Sequence, residues 1–163
     1  MTVPKITRVA FLWSSATGKG VTEKQAQAAA KALGLQFQSL EIHAVFEAAT
    51  KGRAHALLTS PSSFLNTHQA RIIEFATKNR LPAMYGEPEF VDAGGLMSYT
   101  PNAADLFRRA ATYVDKILKG RKPADLPIEQ PTKFEFIINL KAAKQIGVTI
   151  PPNVLARADR VIK

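Results

Sequence analysis

Leu81–Pro101 reads LPAMYGEPEFVDAGGLMSYTP, and this stretch decides the fold. Pro82–Gly86 and Leu96–Thr100 are short β-prone runs; between them Pro88 opens a helical turn that Gly94-Gly95 ends. A strand, a helical turn and a second strand make one unit of a parallel sheet. Upstream, Arg8–Trp13 is another apolar strand. The turn-rich Ser14–Gly20 and an alanine-rich helix over Thr22–Leu33, stopped at Gly34, follow it. Gln36–Ile42 reads as a second strand, Val45–Lys51 as a short helix and Ala56–Thr59 as a buried strand. Ser60-Pro61-Ser62-Ser63 supplies the turn and N-cap of a helix through Arg80, with Leu65, Ile72, Ile73 and Ala76 on the 3.6-residue period.

Downstream, Asn102 caps a helix over Ala103–Lys119, with Asp105 at its third position. Its apolar residues Leu106, Phe107, Ala110, Tyr113, Val114, Ile117 and Leu118 make a face wider than one surface helix needs. A Pro-rich connection, Arg121–Pro131, leads to a strand at Phe134–Leu140, and Pro152–Ile162 reads as a closing helix. Strands alternating with helices predict a single α/β domain over 1–163, with a doubly wound, mostly parallel, Rossmann-like sheet. Ligands of such sheets sit at the carboxyl ends of the strands.

The bulk composition narrows the function. The chain has 163 residues, of which 46% are hydrophobic and 21% charged, ordinary values for a globular domain. Its net charge of +9 is scattered, and the densest run, Lys116–Lys122, falls at a helix C-terminus where cations suit the dipole. No aromatic-rich strand face or motif accompanies the charge, so nucleic acid is not an expected partner. There is no cysteine, which excludes disulfides and thiol catalysis. His43, His55 and His68 share no metal-ligand spacing, and no metal is expected. No Gly-x-Ser-x-Gly elbow or nucleophile–base constellation is present, so an enzyme is not expected either. No apolar run is long enough for membrane insertion, and Met1–Trp13 lacks the h-region of an export signal.

The run from Leu81 to Pro152 resembles the C-terminal part of the tryptophan/tyrosine-type substrate-binding proteins of ABC transporters, which have the type I periplasmic binding fold. The pieces that carry the resemblance are LP-x-x-Y-G, EPEFVDAGGL at Glu87–Leu96, DLFRRAATYVDKILKG at Asp105–Gly120 and KFEFIINLKAAK at Lys133–Lys144. The resemblance implies a non-enzymatic domain that binds a small amino-acid-like or aromatic solute, needs no cofactor and delivers to an ABC permease. It corresponds to one of two lobes and the segments after it. It also implies a periplasmic location, whereas the missing export signal implies a cytoplasmic one if this is the whole gene product. With a first lobe absent, the helix Ala103–Lys119 lacks its expected packing partner. A homodimer is then the expectation, with 103–163 exchanged with or packed on a partner chain.

The same resemblance picks out site residues. The loop after the first strand is polar and cleft-facing in the family, which makes Ser14, Ser15 and Thr17 candidates for a solute carboxylate. Ser60–Phe64 aligns with a Pro-centred segment lining the cleft, so Ser60, Ser62 and Ser63 are candidates too; simple N-capping explains Ser62 and Ser63 equally. Glu87 matches an acidic cleft position suited to a solute ammonium, although an acid in the first turn after a strand also complements a helix dipole. Tyr85, Tyr99 and Asn102, at or near strand ends, offer aromatic faces and an amide for a ring-bearing solute. One alternative competes: SATGKG at Ser15–Gly20 resembles the flavodoxin phosphate loop and would make the chain an FMN-binding redox module. It is not a phosphate-binding Walker loop, because Trp13 and Gly20 stand where that motif needs Gly and Ser or Thr.

Overall fold

The computed structural model describes residues 6–13, 21–41 and 53–163. The expected short helix at Val45–Lys51 lies outside them. Strand β1 is Arg8–Trp13, helix α1 Val21–Ala32, β2 Gln36–Glu41 and β3 Ala56–Thr59. Next come α2 (Ser63–Thr67), α3 (Gln69–Lys78), β4 (Ala83–Tyr85), the single turn α4 (Glu89–Asp92) and β5 (Met97–Pro101). The 16-residue α5 (Ala103–Leu118), β6 (Phe134–Asn139), α6 (Leu140–Ile146), α7 (Pro152–Leu155) and β7 (Arg160–Ile162) complete the chain.

Among the described residues the strands form one sheet in the order β2-β1-β3-β4-β5-β6-β7. All pairings are parallel except β5 with β6, which is antiparallel from Met97↔Ile138 to Pro101↔Phe134. This is the mostly parallel α/β sheet that the sequence predicts.

Strand alternation assigns each side chain to a face. Ala10, Leu12, Leu40, Leu57, Ala83 and Tyr85 share one face and are buried against Leu65, Ile72, Ala76 and Phe90 from α2, α3 and α4. The opposite face carries Val9, Phe11, Phe37, Ala56, Leu58, Met84 and Met97, since these are paired with one another in register. Helix α1 covers its β2–β1 side, where Phe11 stacks on Phe37 with centroids 5.7 Å apart. Leu96 and Ile138 pack with Ala142, Ala143, Ile146 and Ile150 in a second core. Beside α1 this face forms a trough lined by Val9, Leu58, Met84 and Met97.

Three expectations need correction. The helix proposed to run unbroken through Arg80 divides at His68, whose backbone leaves helical geometry at φ −105°, ψ 14° while its ring meets the Phe64 carbonyl at 3.0 Å. The closing helix ends at Leu155 and gives way to β7, because the free side of β6 offers a ladder: Arg160, Val161 and Ile162 pair with Ile137, Ile138 and Asn139. Asp159 secures the entry, its N–H donating to the Phe136 carbonyl and its carboxylate accepting the Phe136 N–H, each at 2.8 Å. Helix α6, absent from the sequence reading, starts where the Asn139 side chain accepts the Ala142 N–H at 3.1 Å and stops at Gly147, whose φ of 74° suits glycine.

Helix α5 begins as the sequence predicts, with Asn102 Oδ1 accepting the Asp105 N–H at 2.9 Å. Asp105 is the only residue of the helix below a tenth exposed. Its remaining cover is the strap 121–131, tied down by the Tyr113 hydroxyl donating to the Pro127 carbonyl at 2.6 Å and by the Arg109–Glu129 ion pair.

Candidate solute-binding site

The carboxyl ends of β1, β3 and β4 are fastened together by the residues that end them. The Ser60 N–H donates to the Leu12 carbonyl at 3.1 Å, and its hydroxyl reaches the same oxygen at 3.4 Å. Thr59, the last residue of β3 and buried, accepts the Gly86 N–H on its hydroxyl at 3.0 Å. Gly86 must be glycine for a steric reason. A Cβ there would stand 2.5 Å from the Pro61 nitrogen and 2.7 Å from the Ser60 carbonyl carbon, both backbone atoms that cannot yield. The three strand ends therefore converge within direct contact of one another, at the position where open α/β sheets hold ligands.

Glu87 follows at once. It is half-buried, and among the described residues no cation pairs with it. Partial burial, and secondarily the nearby Glu89, hold its carboxyl above the usual carboxylate range. An incoming ammonium would reverse both effects.

The other predicted residues divide into groups. Ser62 is buried and caps α2, its hydroxyl accepting the Leu65 N–H at 3.4 Å, while Ser63 is the exposed first residue of that helix. Tyr85 lies in the core, stacked on Phe90 with centroids 4.8 Å apart, and burial pushes its phenol upward. Its ring underpins the end of β4 and presents no face to solvent. Gly95 is tight against that ring, a Cβ there meeting it at 2.5 Å. Tyr99 alternates with buried Ser98 and Thr100, so it points to the other face of the sheet, where it stacks on Phe134 at 5.2 Å and meets Phe136 edge-on. Asn102 spends its oxygen on the α5 cap. Thus Ser60, Ser62, Ser63 and Glu87 share one end with Tyr85 beneath, while Tyr99 and Asn102 stand with β6 and α5. Ser14, Ser15 and Thr17 lie outside the described residues.

Thr59 is the residue that sequence reasoning missed. Its signal was present, a hydroxyl ending an apolar strand, but only the register with β4 reveals its link to Gly86. Of the histidines, His55 is bonded to Thr7 and Arg8, His68 to Phe64, and His43 lies outside the described residues. Among the described residues no cluster of three potential metal ligands occurs, and no helix is long and apolar enough to cross a membrane.

A sequence model of the family described as ABC transporter substrate binding protein matches residues 1–162. The chain belongs to that family. Its flavodoxin-like alternative finds no support there. A crystal structure of a Streptococcus pneumonia ABC domain in complex with L-Trp superposes with a TM-score of 0.85 at 23% identity, over 98% of this chain and 56% of that one. A conserved domain protein from Vibrio cholerae gives 0.84 at 21% identity, over 97% of this chain and 55% of the other. The ligand-free, open structure of CD0873, a substrate binding protein with adhesive properties from Clostridium difficile, gives 0.72 at 19% identity, over 99% and 56%. These likenesses establish the fold, and the chain spans just over half the length of each of these structures. Among curated proteins none matches the sequence.

Proposed function

We propose that this chain is a solute-binding body of an ABC uptake system, taking a small amino-acid-like or aromatic solute at the carboxyl ends of β1, β3 and β4. It would act outside the cytoplasmic membrane, deliver to a permease and carry out no turnover. One observation carries the reading: a half-buried carboxyl, Glu87, stands without a described cation beside strand ends whose hydroxyls and backbone converge. Such a carboxyl recognises an ammonium by a charge-assisted hydrogen bond. Ser63 and Ser60, with Ser14, Ser15 and Thr17 that follow β1 in the sequence, would receive the solute's carboxylate. The L-Trp found in the Streptococcus pneumonia structure is a solute of this class.

Titration calorimetry against aromatic and aliphatic amino acids, and against aromatic acids lacking the amine, tests the proposal. The amines should bind and the deaminated acids should not, and Glu87→Gln should weaken the amines about tenfold, near 1.4 kcal/mol. Equal affinity for both sets, unaltered by Glu87→Gln, would overturn the placement.

A further inference from the structure

Glu87 is preceded by the residue type least able to hold it in place. Glycine explores more backbone conformations than any other residue, and Gly86 stands directly before the carboxyl-bearing position. Its φ is not in the left-handed region, so the glycine answers to space and not to conformation. A Cβ would lie 2.5 Å from the Pro61 nitrogen. Close packing of the strand ends thus imposes a loose joint beside Glu87.

The sheet does not restrain that joint. Pairing of β3 with β4 runs from Leu57↔Ala83 to Leu58↔Met84 and ends before Gly86 is reached. Beyond the ladder a side chain takes over, the Thr59 hydroxyl accepting the Gly86 N–H at 3.0 Å. Thr59 is only 3% exposed, which limits competition from water for this bond. As a β-branched residue it also holds its hydroxyl stiffly at χ1. On the far side of Glu87 the chain is fixed by α4. Pro88 has φ −65°, and the Glu87 carbonyl accepts the N–H of the buried Phe90 at 3.3 Å. Two anchors therefore bracket Glu87, and the one on its glycine side is Thr59.

We propose that Thr59 is a positioning residue: by holding the Gly86 N–H, its hydroxyl locks the glycine joint and sets the Glu87 carboxyl, half-buried, where a solute ammonium meets it. The purpose given to the lock rests on the ammonium role of Glu87. Without the hydroxyl, Gly86 turns freely about its own dihedrals. The carboxyl then gains water, and an incoming ammonium must first bring it back into place. The charged neighbour acting on Glu87 is Glu89, and it stays on α4 in either case.

Three substitutions separate the hydroxyl from the rest of the side chain. Thr59→Val keeps the branched shape without an acceptor, Thr59→Ala removes both, and Thr59→Ser keeps the hydroxyl. Circular dichroism reports folding, and a folded protein from either of the first two suffices. The Glu87 carboxyl carbon is followed by NMR through its titration with no solute present, which tests the lock apart from any ligand. Removing the hydroxyl should lower the midpoint toward the ordinary carboxylate range, and Thr59→Ser should keep it raised. L-Phenylalanine binding, measured by calorimetry, should weaken about fivefold without the hydroxyl, near 1 kcal/mol, and recover in Thr59→Ser. An unchanged midpoint in a folded variant lacking the hydroxyl would overturn the proposal. So would a Thr59→Ser chain that behaves like Thr59→Val, because methyl packing would then be the cause. Either result beside a tenfold loss in Glu87→Gln removes Thr59 alone, whereas phenylalanine binding indifferent to Glu87→Gln removes the ammonium role and the purpose of the lock together.

Discussion

The two faces of the central sheet are made by the same strands and end in different states. On one, Leu12, Leu57, Ala83 and Tyr85 meet Leu65, Ile72 and Ala76 and lose nearly all contact with water. On the other, Leu58 and Met84 alternate with those residues yet stay half-buried. Composition does not separate the faces; cover does. The covered face has α2, α3 and α4, joined to the strands by short connections. The open face has α1 over its β2–β1 side. Sheet alternation therefore reports which surfaces must be buried, and only topology reports whether this chain alone buries them.

Substitutions on the two faces should separate most widely. Ile72→Ala removes a fully buried side chain and should cost about 2–5 kcal/mol in urea-induced unfolding. Leu58→Ala, measured where the chain is monomeric, should cost about 1 kcal/mol, because much of that side chain is already in water. Equal costs would mean that the trough is filled in solution even in the monomer.

A smaller effect belongs to the site end of the sheet. Glu87 has a raised pKa in the fold, so the stability it contributes is fully present below its unfolded pKa and is lost as pH rises through the folded value. Glu87→Gln should therefore stabilise the chain at neutral pH, by under about 1 kcal/mol once solvent screening is counted, and leave it unchanged well below the carboxylate range. An ammonium solute needs the ionised form, so its affinity should rise through that same pH window and then level off. Calorimetry at several pH values checks both signs, and affinity that falls with rising pH would remove Glu87 from the site.

Much of this was legible in the sequence because the signals were local. Asn102 and Asp105 announce the start of α5, and Gly94-Gly95 the end of α4. The apolar excess of α5, from Leu106 to Leu118, was legible as a wide face, and among the described residues Phe107, Val114 and Leu118 stand exposed on it. What escaped was nonlocal. β7 looks helical from Pro152 onward, and only the open side of β6 makes Arg160–Ile162 a strand. Tyr85 and Tyr99 look alike as strand-end aromatics. Alternation and neighbours then bury one on Phe90 and leave the other 56% exposed on the opposite face. Thr59 matters through its hydrogen bond to Gly86, a pairing between residues 27 positions apart.

The central claim is that Glu87, at the carboxyl ends of β1, β3 and β4, receives the ammonium of a small solute. The most direct measurement is titration calorimetry of aromatic amino acids against the unaltered chain and against Glu87→Gln. The account predicts that the substitution weakens binding about tenfold. Equal affinity for the two proteins would contradict it.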